Sequence, residues 1–310
     1  MINDIENFDH KILNNVNEFP SNILKKIDVG LRNEANIEDN KLRSINNENL
    51  VHHFYDFPKY YDKAFTRDVK GDISFFIDCF QKYSDIEIKR VLEPACGPGM
   101  FLEILPQFGF YALGYDLNPA MVEYAKQKLN KSGVKSNVAE VIEGNMKNMK
   151  FDDKFDAAFI AINSLGYLRD EEDISAHFRI MGESINKGGL YIVELSCQCN
   201  DLNNEKKYDD TWYVKEDDLD IELTWAINWY DIKNRIRHVD FRMVVNENGN
   251  NLVISEAHEL RLWIFDEFKR FTELGGFEIV GVYNQNYERI DDNTTITGEL
   301  GALFFILKKI

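Results

Sequence analysis

Between residues 89 and 195 the chain repeats one unit: a short apolar run, a turn, then an amphipathic stretch. Arg90-Val91-Leu92-Glu93 reads as a buried strand stopped by Pro94, and Tyr111-Ala112-Leu113-Gly114-Tyr115-Asp116 reads as the next. Further strands are expected over 138–143, 155–162 and Leu190–Leu195. Parallel neighbours need a crossover, usually a helix, and the segments between these strands supply candidates. One runs from Met100 to about Gln107, and another from Glu171 to about Asn186 with Asp170 as its cap. A third is opened by Asn118-Pro119, with Met121, Ala125 and Leu129 lining one face. A side-chain cap followed by a proline whose missing N–H costs nothing is a favoured helix start. The alternation predicts an α/β fold, doubly wound around a mostly parallel sheet.

The flanks read differently. Residues 1–50 are rich in Asn, Asp, Glu and Lys and read as a helical N-terminal extension; residues 51–200 hold the α/β core. The core opens on an aromatic stretch from His52 to Asp62, followed by an amphipathic helix near 69–83 with Ile73, Phe76, Ile77 and Phe80 on one face. Over 211–263 the apolar period changes to two: Leu219, Ile221, Leu223, Trp225, Ile227 and Trp229, then Val239, Phe241, Met243 and Val245. Asn248-Gly249-Asn250 supplies a hairpin turn before a third strand at 252–263. This is an antiparallel β insertion after the fifth strand, expected either to roof an acceptor pocket or to form a homodimer face with Trp225, Trp229, Phe241 and Trp263. Residues 264–310 complete the core: a helix at 265–274 ended by Gly275-Gly276, then strands at about 277–284 and 301–308, which bring the sheet to seven.

Charge limits the partners. Lys+Arg 36 against Asp+Glu 53 gives a net charge of −17, a surface that repels nucleic acid and anionic lipid, and no basic run offsets it. The four cysteines are too few and scattered for a disulfide framework, and the pair Cys197-x-Cys199 lacks the partners of a metal site. The beginning of the sequence lacks the blocks of a signal peptide, and no apolar run reaches the length of a membrane span. A cytoplasmic protein without metal is expected.

The chemistry is concentrated in Glu93-Pro94-Ala95-Cys96-Gly97-Pro98-Gly99. A glycine turn at the carboxyl edge of a first parallel strand lets a ligand approach the backbone, a device shared by many nucleotide binders. Leu102 stands where a dinucleotide fingerprint has its third glycine, which argues against NAD. A pyrophosphate would repel Glu93, whereas the ammonium and sulfonium of S-adenosylmethionine would be attracted by it. Asp116 ends the second strand 19 positions after Gly97, where a carboxylate can accept both ribose hydroxyls. Asn145, with Met146 beside it, closes the third strand where an adenine would lie, the amide accepting from the exocyclic amine and the thioether covering the ring; an ordinary turn is the alternative. Ala161-Ile162-Asn163-Ser164 follows the fourth strand, where the chain passes the transferable methyl.

With these motifs, residues 55–196 and the closing helix and strand pair resemble class I S-adenosylmethionine-dependent methyltransferases of small molecules. The nearest resemblance is to the amino-sugar and glycine N-methyltransferase-like group. It implies a Rossmann-like methyltransferase fold, S-adenosyl-L-methionine as cofactor with S-adenosyl-L-homocysteine as product, and a small-molecule acceptor methylated on N or O. Tyr61-Asp62 resembles the segment that closes over the methionyl end of the cofactor. The implied contacts to the cofactor are Tyr61, Glu93, Ala95, Gly97, Gly99, Asp116, Leu117, Met121, Asn145, Met146, Ala161 and Ile162. Ser164-Leu165-Gly166-Tyr167-Leu168 resembles the group's loop after the fourth strand, with Tyr167 where histidine is common. An unperturbed tyrosine stays protonated near neutral pH, so Tyr167 and Tyr61 are expected to orient acceptor and cofactor, neither as a strong base. Simple packing is the alternative for Tyr167. Among the histidines, His177 is expected to be exposed on its helix, and His52 and His53 to be solvated. Two other readings remain open: a non-catalytic binder of the same cofactor, and a nucleic-acid methyltransferase, which the charge and the absence of an Asn-Pro-Pro-Tyr-like segment disfavour.

Overall fold

The structure is a computed structural model that describes residues 53–198 and 208–310. The expected extension over 1–50, His52 and Cys199 lie outside the described residues.

The repeated unit forms the sheet it predicts. The first five strands are β1 (Arg90–Pro94), β2 (Tyr111–Asp116), β3 (Ala139–Glu143), β4 (Phe155–Ile160) and β5 (Ile185–Gln198). With β11 (Phe277–Tyr283) and β12 (Ala302–Lys309) they run in the order β3-β2-β1-β4-β5-β12-β11. Pairings among β1 to β5 are parallel, and β12 lies antiparallel to both β5 and β11. The strand order reverses between β1 and β4, so the loops at their carboxyl ends diverge and leave a crevice.

Helices cover both faces. On one, α2 (Lys70–Tyr83) and α3 (Pro119–Lys131) bury Ile73, Phe76, Phe80, Val122, Ala125 and Leu129 against the sheet. On the other, α4 (Glu171–Ser184) and α5 (Phe265–Leu274) bury Phe178, Met181, Phe268 and Phe271. Asn118 caps α3 as its sequence predicts, its side-chain oxygen accepting from the N–H groups of Ala120 at 2.8 Å and Met121 at 3.2 Å. Asp170 occupies the cap position of α4 without a side-chain bond, and Glu171, Glu172 and Asp173 in the first turn face the positive end of the helix dipole instead.

Three expectations need correction. Met100 to Gln107 is not an α-helix: turns lead into a 3-10 segment at Leu105–Phe108. Pro106 has no N–H to continue an i→i−4 ladder, and Gly109 in the left-handed region closes the segment. His177 is buried, not exposed: it lies on the inward side of α4 and its ring contacts Phe178 and Tyr191. The insertion has four strands rather than three: β6 (Tyr208–Glu216), β7 (Leu219–Asp231), β8 (Ile236–Glu247) and β9 (Asn250–Arg261), paired in sequence order. The chain rejoins the core through the two-residue β10 (Trp263–Ile264), parallel to β5. Trp263 is therefore buried in the core beside Phe268 and Phe271, away from the insertion's aromatic face.

Gly114 is the place where β2 admits the glycine-bearing loop. A Cβ there would stand 2.4 Å from Leu102 Cδ1 and 2.8 Å from Cys96 Sγ. Overpacking of this kind typically costs about 1–3 kcal/mol, so Gly114→Ala should lower the unfolding free energy by that amount and weaken ligand binding at the loop. Chemical denaturation with and without ligand checks both.

Candidate cofactor and acceptor site

The loop after β1 is held open by one carboxylate. Ala95, Gly97 and Gly99 have positive φ (53°, 51° and 75°), so the chain reverses tightly, with the Cys96 N–H held by the Tyr115 carbonyl and the Gly99 N–H by that of Cys96. Asp116 at the end of β2 accepts from Gly97 N–H at 2.8 Å through one oxygen and from Asn118 N–H at 2.9 Å through the other. Each oxygen keeps a further lone pair for a ligand hydroxyl. Burial raises the pKa of Asp116, and these backbone donors oppose the rise. Leu117 beside it is an exposed apolar side chain, 65% accessible.

Glu93 is buried at the end of β1, and its Oε2 has no hydrogen-bond partner. Burial, reinforced by the charge of Asp116, pushes its pKa well above the carboxylate range. An unpartnered buried carboxylate is costly unless a cation completes the site.

The N-terminal segment lies over this loop. It comprises a 3-10 turn at Phe54–Asp56 and α1 (Pro58–Phe65). The Tyr61 ring comes within 4.0 Å of where a Gly97 Cβ would stand, so a side chain at position 97 would meet it. Asp62 faces away and anchors α1 to α3, accepting from Lys128 Nζ at 2.8 Å and Tyr124 Oη at 3.0 Å. The same segment meets the insertion: the Phe54 and Phe241 rings are 3.6 Å apart between centroids, and Phe54 N–H donates to Glu256 at 2.8 Å.

At the end of β4, Ile162 and Asn163 both lie in the left-handed region, at φ 54° and 55°. A β-branched residue there is strained by about 1–3 kcal/mol. The strained turn is held by Glu194 of β5, which accepts from Ile162 N–H at 2.7 Å, and Ile162 itself is 40% exposed beside the buried Ala161. Tyr167 follows in a 3-10 turn at Ser164–Tyr167, its hydroxyl 2.5 Å from that of Tyr55 and 2.9 Å from His258 Nδ1. Burial pushes the Tyr167 phenol up to about 12, which keeps it protonated.

The remaining expected residues sit at the start of α3 and just after β3. Met121 is buried at the start of α3. Asn145 uses its side-chain oxygen in a turn, accepting from Lys147 N–H at 3.0 Å. Met146 is fixed from below, its carbonyl 3.2 Å from His177 Nδ1. Tyr191 Oη lies 2.9 Å from the opposite nitrogen of His177, and burial holds this imidazole at about 4, so it is neutral and donates from Nδ1 to Met146.

The crevice thus brings together a glycine turn, the Asp116 carboxylate, the unpartnered Glu93 and the Tyr61 phenol over the loop. A family described as a methyltransferase domain matches residues 91–189, the span that runs from β1 into β5 and carries every one of these features except the phenol. Residues 91–189 form a methyltransferase domain, and the chain has the fold of class I S-adenosylmethionine-dependent methyltransferases. A Geobacillus sp. (strain WCH70) protein that bears a methyltransferase name is 23% identical over 236 residues, 76% of this chain and 91% of that protein. The dTDP-3-amino-3,4,6-trideoxy-alpha-D-glucopyranose N,N-dimethyltransferase of Streptomyces venezuelae is 30% identical over 109 residues, 35% of this chain and 43% of that one. In fold the methyltransferase is similar to S-adenosylmethionine-bound CalS10, an amino pentose methyltransferase from Micromonospora echinaspora. That match has a TM-score of 0.63 and 17% identity, over 85% of this chain and all of the other (100%).

Sequence reasoning missed Tyr55, Glu256 and His258. The last two sit on β9 at the parity of Ile254 and Leu260, facing inward on an otherwise apolar strand face. A Glu-x-His pair at core-facing positions was the available signal. Among the described residues, no group of His, Cys, Asp and Glu is arranged to hold a metal ion. No described helix is long and apolar enough to cross a membrane.

The raised pKa of Glu93 makes a signed prediction. Without cofactor, the folded chain keeps a proton that the unfolded chain releases near its ordinary value of about 4.3, so stability falls as pH rises through that window. A cationic ligand binds the ionised form, so affinity should strengthen with pH over the same window and binding should release a proton. Titration calorimetry in two buffers of different ionisation enthalpy reads the release. Glu93→Gln should abolish it, weaken binding by about tenfold, and leave the free protein at least as stable. Asp116→Ala should weaken binding by at least about tenfold at every pH, since it removes an acceptor of charge-assisted hydrogen bonds.

Proposed function

We propose that this methyltransferase moves the methyl group to the nitrogen of a small amine acceptor. The observation that carries the reading is the cluster of Tyr55, Tyr61 and Tyr167 at the carboxyl end of the sheet, between the glycine loop and the inward face of the insertion. Burial raises the pKa of all three phenols, so they act as hydrogen-bond donors and acceptors, not as strong bases. Once neutral, an amine carries its nucleophilic lone pair, and the transfer itself needs only orientation and the exclusion of water. A hydroxyl acceptor would need a base to generate its nucleophile.

Bound S-adenosylmethionine supplies an electrophilic methyl group on its sulfonium. The chain's own residues position both partners. Asp116 accepts from the ribose, Glu93 offsets the positive charge, and Gly97 and Gly99 let the cofactor lie against the backbone with Ala95. Leu117, Met121, Asn145 and Met146 border the adenosine side, while Ala161 and Ile162 border the methyl. Tyr61 covers the methionyl end, and Tyr167 faces the acceptor. Glu93, Asp116, Asp56 and Glu256 around the same mouth favour a cationic or neutral small molecule over a phosphate backbone. The amino-sugar chemistry of the relatives named above agrees with an amine acceptor of this size.

Transfer of labelled methyl to a panel of amino sugars and small amines, their hydroxyl counterparts, and DNA and RNA oligonucleotides tests the reading. Methylated amines are expected. Preferred labelling of the hydroxyl compounds or of nucleic acid would overturn it, and cofactor binding with no labelled product would favour a non-catalytic binder.

A further inference from the structure

The site contains an imidazole whose place in the chain bears no relation to the loops that usually build such a crevice. His258 comes from the last strand of the insertion, is 7% exposed, and points its Nδ1 at the Tyr167 hydroxyl. Tyr167 in turn meets Tyr55, and Tyr55 packs on Tyr61 over the glycine loop. On the other side, His258 Nε2 faces Glu256 Oε2 at 3.5 Å without a hydrogen bond. The other oxygen of Glu256 lies 3.1 Å from His53 Nδ1, whose side chain is 60% exposed. Polar groups therefore run from Tyr55 through Tyr167 and His258 to Glu256 and His53 at the surface, with one 3.5 Å gap between His258 and Glu256, across three segments far apart in sequence.

We propose that Tyr167, His258 and Glu256 form a proton exit, in which His258 takes the acceptor's proton through the Tyr167 hydroxyl. The proposal deepens the amine reading above and rests on it. An alkylammonium has no lone pair to attack with. As its N–H proton passes to Tyr167 Oη, the proton of Tyr167 passes to His258 Nδ1, and the electron pair of the broken N–H bond stays on the acceptor nitrogen. The imidazolium then gives its Nε2 proton to Glu256, and His53 or water carries it away. This leaves neutral His258 with its proton on Nδ1. Once the methylated product has left, exchange with water takes that proton off Nδ1 and returns one to Nε2 through Glu256, which resets the relay. Each methyl transferred thus sends one proton outward, and no phenolate accumulates.

Orientation of the protons follows from the neighbours. Glu256 is held ionised by the Phe54 N–H and His53, so it favours a proton on the nitrogen facing it, Nε2. Nδ1 is then bare and accepts from Tyr167, which accepts in turn from Tyr55. Burial lowers the His258 pKa and Glu256 raises it, while His53 also lowers it. Around the pair the facing titratable groups are Tyr55 and His53 from the N-terminal segment, Tyr167 from the loop after β4, Glu256 from β9, and Arg237 of β8, whose charge acts on Tyr167.

The proton positions are read without any acceptor, on histidine-labelled full-length protein bound to S-adenosylhomocysteine, by ¹⁵N NMR from acid to neutral pH. The expected result is a neutral His258 at neutral pH with its proton on Nε2, and a shift of the bare Nδ1 signal in Tyr167→Phe. A proton resident on Nδ1 would overturn the relay, because that nitrogen could not then receive one from Tyr167. Turnover of an amine found in the labelled-methyl panel supplies the second readout. His258→Gln can accept from Tyr167 but cannot carry a proton; it should lose about a hundredfold in kcat, lose the acid limb of the kcat–pH profile, and bind S-adenosylmethionine normally. Full kcat in His258→Gln would assign His258 to packing alone. If no amine is methylated, the acceptor reading fails by itself, and the NMR result still decides where the proton lies.

Discussion

The crevice depends on the carboxylate of Asp116. One oxygen holds Gly97 of the loop after β1, and the other holds Asn118 at the start of α3. Asn118 passes the order along: its own oxygen caps α3, and its amide nitrogen donates to Asp56 of the segment above the loop at 3.0 Å. The side chain proposed to take the ribose is therefore also the one that sets the loop, the helix and part of the cover. Affinity and local order share one group, and no substitution there separates them cleanly.

Below this point the site is built from acids that are buried at a cost. Glu93 is left without a partner at Oε2, Glu194 is committed to the strained Ile162 turn, and Asp62 is satisfied by Lys128 and Tyr124. The three differ in what completes them. Asp62 is complete in the free chain and is structural. Glu194 holds backbone against strain, and burial still keeps its pKa raised. Glu93 is incomplete in the free chain, and on the proposed reading it is the acid whose charge state should respond most to a cationic ligand.

Much of this was legible before any coordinates. The strand ends at Pro94 and Asp116, the Asn118-Pro119 start and the period-two insertion follow from local chemistry, and the structure follows them within a few residues. What was not legible depends on partners remote in sequence. His177 looks solvated by its neighbours in sequence, yet its depth depends on the face of α4 that meets β5 and on Met146 and Tyr191. The segment after Gly99 looks helical by composition, but Pro106 breaks the ladder from its far end. His258 and Tyr167 are 91 positions apart, and only the pairing of β9 with the loop after β4 makes them neighbours. The β6 strand was missed because its apolar alternation, Trp212 and Val214 among charged residues, is too short to stand out until β7 pairs with it.

Segment 53–65 has a consequence for how such molecules can be recombined. It is tied to the core through Asp56 and Asp62, and to the insertion through Phe54 with Glu256, Lys59 and Tyr60 with Glu247, Lys63 with Glu216, and Ala64 with Trp212. The insertion is thus clamped by residues that precede the sheet altogether, although it leaves the core after β5 and returns at β10. A chimera that exchanged only the insertion would leave these partners behind and lose its alignment over the crevice. The transplantable unit is discontinuous: the four-stranded sheet together with the short aromatic segment nearly 150 positions upstream of it.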